Sequence, residues 1–424
     1  MIFSVLSCIS LVILGFSWFL YRRYLELFLC LLILINFEFF FVLPASVGYK
    51  YLLLPIVFVL LFEGLLTGKL AMGRYGWWII SFLAISVMGI AVAWSYGQGI
   101  ALGIKAAKFI PLVLVYFLLA GRQINLEKFA WYFIAMSLLV AALASVCYLT
   151  HGAVNPFPAA PEHMLTEEPG KLRITIGQYV IAASSVMAFA RFSNSSRLWY
   201  LFASAALFAE VIVVQQTRGF IAAIFASMFV VYVLSKKLTI LRLSAYVVFT
   251  AFCFGLWLTL PELDLSGVDF VKRTRVDLHG RGGSYGGSLQ ARLNGYDLYW
   301  KQMQKAPVVG RGLQNFNWQG NQERNLQKYL GIHLSDIGIV HFLVQAGLVG
   351  FLWLLYGLLK LWKDLFRLRD HLVVACYFII GTFTMPTLDM FLRVGDSLFL
   401  FAVFLGLTSS IIMTPNAAAV PKRS

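Results

Sequence analysis

The residues best suited to chemistry are a scattered set of cations and one His/Asp segment. Arg218 sits in the tight turn Gln215-Gln216-Thr217-Arg218-Gly219 between two apolar runs, where nothing about a short turn calls for arginine. Arg292 opens an amphipathic stretch, a position unfavourable to a helix dipole unless an anion is held nearby. Arg311 lies between two glycines in Gly310-Arg311-Gly312, and Lys105 lies in the basic approach Lys105/Lys108. Guanidinium groups grip phosphate oxygens in a bidentate fork, so this set suits a phosphorylated ligand. The segment Gly331-Ile332-His333-Leu334-Ser335-Asp336 leads into an apolar run. On a helix beginning near His333, residues 333 and 336 share a face, so the Asp336 carboxylate could fix the tautomer of a His333 imidazole that accepts a proton. Ser335 or Asp336 could equally serve as the helix N-cap. No Asp-x-Asp pair in the polar loops points to a metal, and the five cysteines all fall in apolar runs without a C-x-x-C pair.

These side chains must be positioned by a membrane-embedded frame. Sixty per cent of the residues are hydrophobic, only 12% are charged and the mean hydropathy is +0.80, a balance outside that of soluble domains. Apolar runs predict an all-α polytopic membrane protein with 12 or 13 transmembrane helices, at about 2–20, 25–43, 51–66, 77–95, 108–120, 129–149, 176–192, 198–215, 219–235, 242–261, 337–361, 372–386 and 396–413. The first run ends at Tyr21-Arg22-Arg23-Tyr24 rather than at a cleavage site and is expected to be retained. Of the acids within apolar runs, Glu63 and Glu210 are read first as hydrogen-bonded struts between helices.

Alternating loops place Arg22/Arg23, Lys69/Arg74, Arg122/Lys128, Arg191/Arg197, Lys236/Lys237/Arg242, Lys360/Lys363/Arg367/Arg369 and Lys422/Arg423 on one side. The positive-inside rule makes that side cytoplasmic. The net charge of +15 then reflects orientation and an anionic ligand rather than nucleic acid. Three parts follow: an N-terminal bundle over 1–262, an external loop domain over 263–336 containing short helices, and C-terminal helices with a short tail over 337–424.

The insert breaks the rule that orients the rest. Between Asp264 and Gly350 it holds ten basic residues, Lys272, Arg273, Arg275, Arg281, Arg292, Lys301, Lys305, Arg311, Arg324 and Lys328, against the six acids Asp264, Asp269, Asp277, Asp297, Glu323 and Asp336. Long loops translocate regardless of charge, so the excess is read as a collecting surface for a phosphorylated ligand at the membrane. A helix is predicted over Leu289 to Met303, ended by Pro307 and Gly310-Arg311-Gly312.

The order of these motifs carries a resemblance. Arg292 with Trp300 eight residues on, then Pro307-x-x-Gly310-x-Gly312-x-x-x-Phe316, together with Thr217-Arg218-Gly219 and Gly347-x-x-Gly350, is similar to the O-antigen ligase and polymerase superfamily of bacterial inner-membrane glycosyltransferases. The likeness covers about Val211 to Leu355. Two positions depart from it: Ala222 stands where ligases have leucine, and counting eleven residues back from Gly347 lands on Asp336 where a catalytic histidine is expected, with His333 and His341 to either side.

What the resemblance implies is metal-independent, inverting glycosyl transfer at the periplasmic face of the inner membrane, with no cofactor. The donor would be a glycan on undecaprenyl pyrophosphate. The acceptor would be a sugar hydroxyl of lipid A-core for a ligase, or another lipid-linked glycan for a polymerase of O-antigen, capsule or exopolysaccharide. Arg218 and Arg292, aided by Arg311 and Lys105, would hold the pyrophosphate, and His333 or Asp336 would act as base. A different class, a transporter for lipid-linked oligosaccharides, should show repeats and broken helices at the midplane. No internal repeat is visible in the sequence.

Overall fold

The computed structural model describes residues 15–36, 50–157, 165–168, 171–235, 288–321, 324, 337–368, 371–386, 391–392 and 397–413. The chain is a helical membrane protein. Among the described residues, helix α1 (15–23) is followed by α2 (Leu25–Asn36), α3 (Lys50–Leu66), α4 (Gly76–Ser95), α5 (Ile100–Ala107), a 3-10 turn (Ile110–Leu114), α6 (Val115–Leu119) and α7 (Leu126–Leu149). A short hairpin, β1 (Leu165–Glu168) and β2 (Lys171–Ile174), leads into α8 (Gln178–Ser195), α9 (Leu198–Glu210), a π turn (Val211–Gln215) and α10 (Arg218–Leu234). Then come α11 (Ser288–Gln304), α12 (Val340–Arg367), α13 (Leu372–Thr384) and α14 (Ser397–Met413).

Four stretches are long and apolar enough to cross a bilayer: Gly76–Ser95, Leu126–Leu149, Leu198–Gln215 and Val340–Phe366. Several other expected spans are present as shorter apolar helices, while 242–261 and most of 2–20 lie outside the described residues. The expected span 108–120 is the second half of a broken one, since Ile100–Ala107 and Ile110–Leu119 meet at a 41° bend. The bend falls at Phe109-Ile110-Pro111, where proline removes a backbone donor. The helix expected over 289–303 is α11. The hairpin at 165–174, antiparallel from Leu165 opposite Ile174 to Glu168 opposite Lys171, has no counterpart in the apolar pattern.

α8 and α14 are enclosed on nearly all sides, and their faces are apolar or small all round. Without a hydrophobic drive between helices in lipid, close approach and buried hydroxyls hold such helices together. Ser137 of α7 meets Ser184 of α8 at 2.6 Å. Ser185 and Ser204 exchange hydroxyl-to-carbonyl bonds of 3.1 and 2.9 Å between α8 and α9. α7 begins where the Asn125 side chain accepts from the Glu127 and Lys128 amides, an N-cap that fixes its entry.

The basic loops converge on one end of the bundle. Arg22 pairs with Glu63 at 2.6 Å, and the Trp18 indole donates to the same carboxylate, so Glu63 is the strut read from the sequence. Arg122 stacks on Tyr21, and its carbonyl accepts from the Ser410 hydroxyl. Arg191 pairs with Glu127 at 3.2 Å.

The strongest of these contacts joins α4 to α12. Arg74 meets Asp364 through Nε at 2.9 Å and a second nitrogen at 3.0 Å, the bidentate geometry that suits a carboxylate. The Tyr75 hydroxyl donates to Asp364 at 2.9 Å; burial, with the carboxylate beside it, keeps that phenol protonated. Lys360 donates to the Arg74 carbonyl, and the Arg74 amide donates to Ser409 of α14. Higher in the same pair of helices, the Trp78 and Trp353 indoles each donate to the other's carbonyl at 3.2 Å.

The Asp364 side chain is 1% exposed and that of Arg74 36%, so the two partners are not equivalent. Arg74→Ala leaves a carboxylate buried without its guanidinium and should cost about 3–5 kcal/mol. Asp364→Asn keeps an acceptor for Tyr75 and leaves an arginine that water reaches, and should cost about 1–2 kcal/mol. Thermal unfolding of both variants in the same detergent checks the order; a larger loss for Asp364→Asn contradicts it.

Candidate functional site

At the end of the bundle opposite the basic cluster, α12 is interrupted. Gly347 adopts φ 59° and ψ −153° within an otherwise helical run. A break there separates the amides of Leu348 and Val349 from the carbonyls of Val344 and Gln345, their i−4 partners. Residues 307–312 supply the replacements. The Arg311 amide donates to Val344 at 2.9 Å and the Gly312 amide to Gln345 at 3.0 Å. The Leu348 amide donates to the Pro307 carbonyl at 2.8 Å and the Val349 amide to the Val308 carbonyl at 3.1 Å. The loop is thus spliced into the helix by four backbone hydrogen bonds.

The glycines make this approach possible. A Cβ on Gly347 would lie 2.5 Å from the Gly310 nitrogen and 2.6 Å from the Val308 oxygen. Gly312, at φ 76°, presses against α4, where a side chain would overlap the Gly89 carbonyl and the Ala93 amide. Both positions need a left-handed backbone and no side chain. The two glycine motifs noted in the sequence are therefore two sides of one joint.

The loop continues across α4 to the α4–α5 connection. The Leu313 amide donates to the Gly89 carbonyl at 2.8 Å. Gln98, 1% exposed, donates to the Leu313 carbonyl at 3.1 Å and accepts from the Asn315 amide at 2.7 Å. Asn315 donates on to the Leu102 carbonyl of α5 at 3.1 Å, and Asn321 donates to the Asn315 carbonyl at 3.0 Å. A buried side-chain amide that meets both a backbone donor and a backbone acceptor mimics a strand edge. Gln98 was not singled out in the sequence; its one signal is Gly97-Gln98-Gly99 between two apolar runs.

α11 packs on α12 through Tyr299, which is buried with Ile337 and Val344, and the Tyr296 hydroxyl donates to the Pro386 carbonyl. One turn before the splice, the His341 Nε2 faces the Gln345 side-chain amide at 2.9 Å, and the Gln345 carbonyl is the one that receives Gly312. This histidine is joined to the loop through a single residue.

The predicted site residues separate into groups. Arg311 lies at the centre of the splice, half-buried, its Nε shielded from solvent with no hydrogen-bond partner. Lys105 is exposed on α5, three residues beyond the Leu102 carbonyl that anchors Asn315. These two are tied to one loop. Arg292 falls in the first turns of α11, the helix that delivers that loop. Arg218 is the first residue of α10, after the π turn and Gln216 at φ 52°. The π turn carries Glu210 at its base, where one carboxylate oxygen accepts from Gln215 at 2.7 Å, a bond within one helix end rather than the strut between helices expected for this acid. His333 and Asp336 lie outside the described residues.

Chemically, the joint offers a hydrogen-bonded loop bearing one guanidinium, an imidazole linked to it through Gln345, and a lysine on the helix that anchors Asn315. No group of histidine, cysteine or acidic residues suited to a metal occurs among the described residues. In comparisons with known proteins, no family model and no curated protein matches the chain.

Proposed function

We propose that the chain is a glycosyltransferase of the O-antigen ligase kind, moving a glycan from undecaprenyl pyrophosphate to a sugar hydroxyl of lipid A-core at the periplasmic face of the inner membrane. The observation that carries this reading is the splice: Pro307-x-x-Gly310-x-Gly312 and Gly347-x-x-Gly350, two motifs of the resemblance that lie 35 residues apart, form one hydrogen-bonded unit around Arg311.

In this reading the acceptor hydroxyl oxygen attacks the anomeric carbon of the donor while the bond from that carbon to the pyrophosphate oxygen breaks. The leaving pyrophosphate keeps the electron pair, and Arg218, Arg292 and Arg311, with Lys105, offset its growing charge. The hydroxyl proton passes to a base, His333 with Asp336 orienting it. A single displacement inverts the anomeric centre. Polymerisation onto a second lipid-linked glycan uses the same chemistry with a different acceptor.

Transport of a lipid-linked oligosaccharide is the second reading, and the interruptions at Gly347 and at the α5–α6 bend speak for it, since transporters place sites at broken helices. Against it, the gap in α12 is filled by the chain's own backbone rather than left for a substrate. Purified protein incubated with lipid-linked glycan and lipid A-core separates the readings: a ligase yields a capped core on a gel, a polymerase lengthens the lipid-linked glycan, and a transporter makes no new glycosidic bond.

Arg218→Ala should lower transfer about 10²–10³-fold at matched membrane abundance, and Arg218→Lys should recover little because a point charge does not reproduce the fork. Full activity in the alanine variant removes Arg218 from the site. For the base, His333→Ala should abolish most transfer while Asp336→Asn costs less. The reverse order assigns the base to Asp336, and loss only in His341→Ala assigns it to the histidine beside the splice. Orientation is checked with cysteines at two exposed positions, Asn317 and Lys363: an impermeant reagent should label the first from the periplasm and leave the second untouched.

A further inference from the structure

The turn that leads to Arg218 has a register of its own. α9 ends at Glu210, the next turn, Val211–Gln215, is a π turn, Gln216 is left-handed, and α10 starts at Arg218. On an α-helix of 3.6 residues per turn, side chains five residues apart point about 140° away from each other. In a π turn, bonded from i to i+5, they lie on one side. Glu210 and Gln215 are five apart, and the Gln215 side-chain amide donates to the Glu210 carboxyl at 2.7 Å. Winding the same residues as an α turn parts the two side chains, so this bond selects the π register.

Packing alone does not call for a carboxyl here. Glu210 is 5% exposed and Gln215 is fully buried, with β2, α7 and α8 packed against the turn. The second carboxyl oxygen of Glu210 is shielded from water and has no hydrogen-bond partner among the described residues. A buried polar atom left bare costs about 1–3 kcal/mol, so a leucine of similar bulk would suit the core better. Fixing a register is the best-attested use of buried polar groups that carry such a cost.

The register is passed to Arg218 through Thr217. The Thr217 hydroxyl donates to the Gln215 carbonyl at 3.2 Å. The Thr217 carbonyl accepts from the Phe220 and Ile221 amides at 3.0 and 3.1 Å, which starts α10. The Phe220 ring meets Tyr179 of α8 edge-on, with centroids 5.5 Å apart, so α10 is anchored by its neighbour. A π turn takes up one residue more than the α turn it replaces. If Val211–Gln215 wound as an α turn, the surplus residue would fall on Gln216, Thr217 and Arg218.

We propose that Glu210 is a positioning residue: its bond to Gln215 holds the π register that decides where the Arg218 side chain leaves the turn. The inference rests on the reading that Arg218 serves the transfer reaction, and it adds the residue that aims it.

The test places a reporter at the turn itself. The full chain in nanodiscs carries Arg218→Cys, and its rate of modification by an impermeant thiol reagent is measured against a chain with only the native cysteines. Adding Glu210→Gln, which still offers Gln215 an acceptor, should leave the rate within about twofold. Adding Glu210→Leu or Gln215→Leu, which break the bond from either side, should change it about tenfold as the thiol's exposure alters. Val213 is an exposed residue of the turn, and deleting it lets an α turn cover the same span, so the deletion should restore the rate in the Glu210→Leu chain. A carboxyl that only filled space would give a deletion nothing to rescue. Unchanged labelling in both leucine variants, an equal change in Glu210→Gln, or no rescue by the deletion overturns the proposal. With Arg218 in place, Glu210→Leu should lower transfer roughly 10²-fold and the deletion should recover it. The expected labelling pattern without transfer in the parent rejects the glycosyltransferase reading and keeps the positioning role, whereas transfer in the parent with flat labelling does the reverse.

Discussion

The exchange of hydrogen bonds between residues 307–312 and the break at Gly347 is the constraint on which the site depends. An interrupted helix in an apolar environment exposes amides and carbonyls that water cannot reach, and each costs several kcal/mol if left bare. Here four of the groups that the break parts from their helical partners are the ones that hold the loop, so the interruption and the loop stabilise one another. α11, the loop, α4 and the α4–α5 connection then follow in a chain of contacts through Tyr299, Leu313 and Gln98. The reciprocal Trp78–Trp353 bonds and the Arg74–Asp364 pair keep α4 and α12 alongside each other, so the floor beneath the loop cannot slide.

Parts of this were legible in the sequence for clear physical reasons. The segregation of Lys and Arg by alternate loops placed Arg22, Arg74, Arg122 and Arg191 together, and their contacts join one end of the bundle. The amphipathic stretch before Pro307 gave α11 nearly to its ends. Other features left no mark on hydropathy. Residues 337–361 read as one uninterrupted apolar run because a glycine at φ 59° has the same composition as a glycine in a helix. The partners that repair the break come from 33 to 41 residues earlier, a tertiary fact that no periodicity contains. Gln98 reads as a polar residue in a short loop, although its two amide atoms fasten that loop to residues 313 and 315.

The cations show the same division. Their residue types suggested an anionic ligand, but their grouping did not follow from order along the chain. Arg311 and Lys105, more than 200 residues apart, are tied to one loop through Asn315 and Leu102. His341 gains its place beside that loop from helical spacing to Gln345, whose carbonyl is claimed by Gly312. A motif count fixed on the interval to Gly347 passes over it, because the count measures sequence distance whereas the joint sets spatial distance.

The partner exchange at Gly347 is one for one, and this gives α12 a second closed arrangement. Were residues 307–312 withdrawn, the Leu348 and Val349 amides could return to the Val344 and Gln345 carbonyls as in any continuous helix. Glycine tolerates both backbone conformations. The helix itself would thus end with no orphaned group, and the cost of separation would fall on the loop, whose freed amides would then need water. Glycine thus leaves two closed arrangements open to this element: a straight helix with a detached loop, or a broken helix with the loop inlaid.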